Sequence, residues 1–171
     1  FTLDRAPEGW LSYRIGDWFL GKHPSLPLVR LVRSDGRLLG LLLGYPISSQ
    51  GELLTDNDEL LVPAYSEEQS EAIEAFLYSF GGRFAAVLLE TNRPRFYLDA
   101  CGSLSAVYCG SQQIVASTPN LIPYDPQTLD RVDLIRAIGI PFTQSKYPVG
   151  LTPRYGVERI LPNHYLDLSI W

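Results

Sequence analysis

Leu38-Leu39-Gly40-Leu41-Leu42-Leu43-Gly44-Tyr45 is the most apolar run in the chain, and it does not alternate. A strand with one wet face alternates apolar and polar residues, whereas an unbroken leucine run needs apolar cover on both faces. The run is far short of the ~20 residues that cross a bilayer. Its two glycines, and the turn before it, identify it as a strand. That turn, Ser34-Asp35-Gly36-Arg37, tolerates positive φ and predicts a hairpin with the apolar run Leu28–Val32. The expectation is a sheet with something packed on each side.

Working outward, Ser66-Glu67-Glu68-Gln69 has the form of a capping box, in which hydroxyl and amide each satisfy an orphan N–H. Ile73, Phe76, Leu77 and Phe80 follow at helical spacing, and Gly81-Gly82 offers a left-handed terminus. A second helix is expected over Asp130–Ile138. Its stripe is Leu134, Ile135 and Ile138, its first turn is acidic, and Gly139-Ile140-Pro141 closes it. Between the helices the pattern predicts a β-meander: 83–90 with 95–99 around Thr91-Asn92-Arg93-Pro94, and 106–109 with 113–116 around Gly110-Ser111-Gln112. In the tail, 157–161 and 165–168 read as one more pair around Pro162-Asn163. Helices on a mainly antiparallel, two-sided sheet belong to the α+β or layered α/β classes.

With 171 residues and 46% hydrophobic content, one core and a single domain over 1–171 are expected. The net charge of −5 and the scattering of the 14 basic residues argue against nucleic-acid binding. No membrane span is expected. His23 and His164 are far apart and neither lies near a cysteine, so no metal site is expected. Cys101 and Cys109 are close enough to be bridged by neighbouring strands. Nothing requires it, and two reduced, partly buried thiols of a cytoplasmic protein is the plainer reading. The chain opens on Phe1 rather than Met and ends at Trp171 just after a strand-like segment, which predicts a domain cut from a longer protein.

Four motifs then occur in a fixed order. Gly82-Arg83-Phe84-Ala85-Ala86-Val87 resembles the G-x-F-A segment of class II (Ntn-type) glutamine amidotransferase domains. Tyr97-Leu98-Asp99-Ala100-Cys101-Gly102 is similar to that family's D-x-x-G strand end, with Tyr108 in place of the last Tyr of P-L-Y-Y. Val115-Ala116-Ser117-Thr118, followed by Leu121-Ile122, resembles F-A-S-E…L. Gly156-Val157-Glu158-Arg159-Ile160-Leu161-Pro162-Asn163-His164-Tyr165-Leu166 resembles the closing G-I-x-x-L-P-P-G-H-Y-L strand. No single motif is specific, but the ordered set covers about half the chain and points to the asparagine-synthetase-like family. The resemblance implies a four-layered αββα sandwich of two antiparallel sheets. It also implies a downstream ATP-using synthetase domain as partner, with ATP and Mg belonging to that domain and no cofactor to this one.

The chemistry that the resemblance implies is incomplete here. The family's nucleophile is an N-terminal cysteine activated by its own α-amine. This chain begins with Phe1 and has no cysteine before Cys101, which has neither a free amine nor a histidine nearby in sequence. Loss of a covalent nucleophile costs on the order of 10⁶ in kcat. The family's oxyanion hole is an Asn side chain and a Gly N–H. Here Leu43 stands in place of the Asn, Gly44 is retained, and Tyr45 replaces the following Glu. Asp99 matches the carboxylate that binds the α-amino group of glutamine, although the plainer reading is a strand-end Asp that caps the following turn. These four residues are the candidate vestigial substrate site, with no catalytic residue among them. Arg14 and Arg30 are conceivable partners for an amino-acid carboxylate and equally surface cations. Trp10, Tyr13, Trp18 and Phe19 read as core, and His164 as part of a structural turn.

The expected function is therefore an amidotransferase-like domain without glutaminase activity, acting as scaffold for an ATP-dependent amide-forming domain. Two alternatives stay open. One is a fragment of an active glutamine-hydrolysing asparagine synthetase that has lost its N-terminal Cys. The other is a non-enzymatic module that binds a small ligand, such as glutamine or another amino acid, or docks a protein.

Overall fold

The computed structural model describes residues 6–62, 70–89, 91–125, 129–139 and 147–171. The fold is mixed α and β, rich in strands, with two short α-helices and three sheets among the described residues. The leucine run lies within β4 (Leu38–Ile47), at the centre of a six-stranded sheet. Its hairpin partner β3 (Leu28–Val32) pairs antiparallel as expected. The turn is closed by Gly36 at φ +78° and by the Arg33 carbonyl, which accepts from the Gly36 N–H at 2.9 Å. β5 (Glu59–Leu61) adds in parallel outside β3. On the other side β6 (Gly81–Leu88), β7 (Arg95–Leu98) and β11 (Tyr165–Asp167) follow in antiparallel order. The remaining strands form a hairpin of β1 (Leu11–Ile15) with β2 (Trp18–Lys22), and a small sheet. In the small sheet β8 (Val107–Cys109) pairs β9 (Ile114–Ala116) on one side and β10 (Glu158–Arg159) on the other.

Both faces of β4 are buried. On one face Leu39 and Leu42 pack with Val29, Leu31, Phe84, Ala86 and Leu88 under α1 (Ser70–Tyr78), which contributes Ile73 and Leu77. On the other, Leu41 packs with Ala85, Val87, Phe96 and Leu98 against Ala106, Ile160 and Leu168. Trp18, Leu20, Tyr108, Val115 and Trp171 flank that cluster. Leu39 and Leu42 are three apart yet share a face because the register steps from Leu31↔Gly40 to Val32↔Leu38, a bulge in β4. Gly40 is required beside it, since a Cβ there would lie 2.1 Å from the Val87 carbonyl oxygen.

Among the described residues this stacks helix, large sheet, and small sheet with hairpin. Beyond the small sheet, Val107 and Cys109 pack with Ile122 and Val157. Arg154, also buried, clamps that chain by donating to the carbonyls of Pro119 and Ile122 (2.8 Å each) and Pro123 (3.1 Å). The expected second helix is α2 (Val132–Ala137), shorter than Asp130–Ile138, and it contributes no buried residue. Its expected Gly139 terminus is left-handed, at φ 69°.

Several expectations are corrected. The 83–90 and 106–116 strands do not form one meander, because β6–β7 and β8–β9 belong to different sheets. The tail strands pair not with each other but across the core, β10 with β8 and β11 with β7. Gly81-Gly82 does not cap α1. The helix ends at Tyr78, and Gly82 (φ 88°) sits inside β6, where a Cβ would lie 2.2 Å from the Tyr45 carbonyl oxygen. Trp18 is core, but Tyr13 and Phe19 are 37% and 40% exposed on the hairpin. The capping box at 66–69, together with Glu90, Ile140 and Pro141, lies outside the described residues. Among the described residues no helix is long and apolar enough to cross a membrane.

Candidate functional site

Leu43, Gly44 and Tyr45 lie towards the end of β4, and the two adjacent strands bring Asp99 beside them. Gly44 stands opposite Phe84 of β6, and the Phe84 carbonyl accepts from the Asp99 N–H at 2.9 Å, just beyond β7. The four candidate residues therefore share one end of the large sheet.

Each already has a local role there. Asp99 is buried, and its carboxylate accepts from the N–H groups of Cys101 (3.1 Å), Ser103 (2.9 and 3.1 Å) and Leu104 (3.3 Å). A buried carboxylate is tolerated only when its lone pairs are satisfied, and here the following loop satisfies them. That loop turns at Gly102 (φ 60°), which lies so close to Pro162 that a Cβ would come within 2.7 Å of its ring. The loop then lays Leu104 over Gly44, where a Cβ would meet the Leu104 Cδ1 at 2.9 Å and the Arg83 carbonyl oxygen at 2.5 Å. Gly44 is thus held at φ 118° in a space that admits no side chain.

The polar groups at this strand end are bonded within the chain. The Gly44 N–H donates to the Pro27 carbonyl at 2.9 Å. Leu43, partly buried between Leu28 and Ala85 in the ladder, has an apolar side chain. Tyr45 is 38% exposed, and its hydroxyl donates to the Ser25 carbonyl at 3.2 Å. The 25–28 segment that occupies the Gly44 N–H is itself tied down twice more. Buried Lys22 donates from Nζ to the Leu26 carbonyl at 2.5 Å and lies 3.5 Å from the Asp56 carboxylate. Asp56 in turn accepts from the Leu28 N–H. Sequence reasoning missed Lys22 and Asp56. The one available signal was the position of Lys22 two residues beyond Leu20 on the face that buries Trp18 and Leu20.

The other named residues lie apart from this end or point elsewhere. Arg30 pairs with Glu59 at 2.8 Å on the sheet edge, and Arg14 is exposed opposite Phe19 in the hairpin. His164 turns its Nδ1 onto the Pro162 carbonyl at 2.9 Å. Cys101 is exposed, Cys109 is buried, and both are free thiols. Among the described residues no group of three His, Cys, Asp or Glu is arranged to hold a metal ion.

A second polar cluster lies on the α1 face of the sheet. Tyr97 donates to Glu74 of α1 at 3.3 Å, and Arg95 donates to both the Tyr97 hydroxyl (3.3 Å) and Glu74 (3.4 Å). The Arg95 guanidinium also stacks 4.5 Å from the Tyr165 ring. Burial, reinforced by Glu74 and opposed by Arg95, pushes the Tyr97 hydroxyl up to about 12. Burial and the Glu158 carboxylate do the same for Tyr108, also to about 12. The hydroxyl and N–H of Ser169 hold the Asp167 carboxyl below its ordinary value.

Comparison with protein-family models, with curated proteins and with solved structures finds no match to this chain.

Proposed function

We propose that this chain is an amidotransferase-like domain related to asparagine synthetases that has no glutaminase activity and acts as a scaffold for an ATP-dependent amide-forming domain. The observation that carries this reading is the end of β4. The backbone N–H of Gly44, the one oxyanion donor retained from the family pattern, is bonded to Pro27, and Leu43 supplies no second donor. A tetrahedral oxyanion at this position would lack preorganised hydrogen bonds, and removal of even one such donor costs about 10²–10³ in kcat. Asp99 supports the same reading, because its carboxylate already accepts from the N–H groups of Cys101, Ser103 and Leu104. A glutaminase assay on the full-length protein tests it. The expected result is no glutamate or ammonia from L-glutamine above the uncatalysed background. Turnover above that background overturns the proposal and supports an active glutamine-hydrolysing enzyme instead.

A further inference from the structure

We draw no further inference here: the strongest candidate, the exposed apolar side chains of Tyr124, Leu129, Val132 and Tyr155 around the bridge between Asp130 and Arg154, carries nothing because nothing in the structure shows what covers them.

Discussion

Three backbone N–H groups converge on the Asp99 carboxylate, and this one side chain sets the path of the chain from the large sheet to β8. Hydrogen bonds to a charged acceptor contribute more than neutral ones, about 1.5–3 kcal/mol each. Asp99→Ala is therefore expected to lower unfolding free energy by about 3 kcal/mol or more. Asp99→Asn retains one acceptor oxygen and should lose roughly half as much. Urea titration of the three proteins checks the order. An Asp99→Ala variant as stable as the parent would mean that the loop is held by something other than the carboxylate. A ligand-contacting Asp has the opposite signature, since its removal leaves the free protein's stability nearly unchanged and weakens binding.

At the level of elements, the two helices look alike in sequence and differ in what they bury. Ile73 and Leu77 of α1 are almost fully buried against the large sheet, whereas Leu134 and Ile135 of α2 are only partly covered. Truncating a buried leucine removes its transfer energy and leaves a cavity, so Leu77→Ala should cost about 2–5 kcal/mol. Leu134→Ala should cost less than about 1 kcal/mol, and thermal unfolding of the two variants distinguishes them. The Tyr97–Glu74–Arg95 cluster ties the same helix to β7 and adds a pH dependence. An acid whose pKa rises on folding binds its proton more tightly in the folded state. Its stabilisation is complete below pH 10 and is lost as pH climbs from 10 towards 12. At ~1.4 kcal/mol per unit this amounts to about 2–3 kcal/mol. Stability measured across that range should fall less steeply in Tyr97→Phe than in the parent, and parallel slopes would remove Tyr97 as the cause.

For the molecule as a whole, local chemistry was legible and long-range pairing was not. The Asp35-Gly36 hairpin and the two-faced leucine strand follow from φ preferences and hydrophobic pattern, which act within a few residues. Over 83–90 the sequence showed a strand but not its two-sided burial, which the split of Phe84, Ala86 and Leu88 from Ala85, Val87 and Leu89 between two clusters reveals. Gly81-Gly82 was ambiguous, because a helix terminus and a strand in close contact with its neighbour both demand glycine. The tail strands were assigned to each other because their true partners, β8 and β7, are about 50–70 residues away, a separation on which periodicity carries no information. At the candidate site, Leu43, Gly44 and Tyr45 are contiguous and lie on the leucine run, but only the family resemblance singled them out. The contact of Pro27 with Gly44, and the Lys22 and Asp56 anchors behind it, depend on the β2, β3 and β5 regions meeting in space. That closure bears on the whole molecule's response to ligands. A ligand at 100 times its Kd stabilises the folded state by about 2.7 kcal/mol, which in a domain of this size raises Tm by roughly 5–10 °C. If the Asp99 carboxylate and the Gly44 N–H remain committed to the chain's own backbone, millimolar L-glutamine, L-asparagine or L-glutamate should leave Tm unchanged in a thermal-shift series. A dose-dependent rise with one amino acid and not its enantiomer would show that the end of β4 opens to a ligand, and the scaffold reading would give way to that of a sensor.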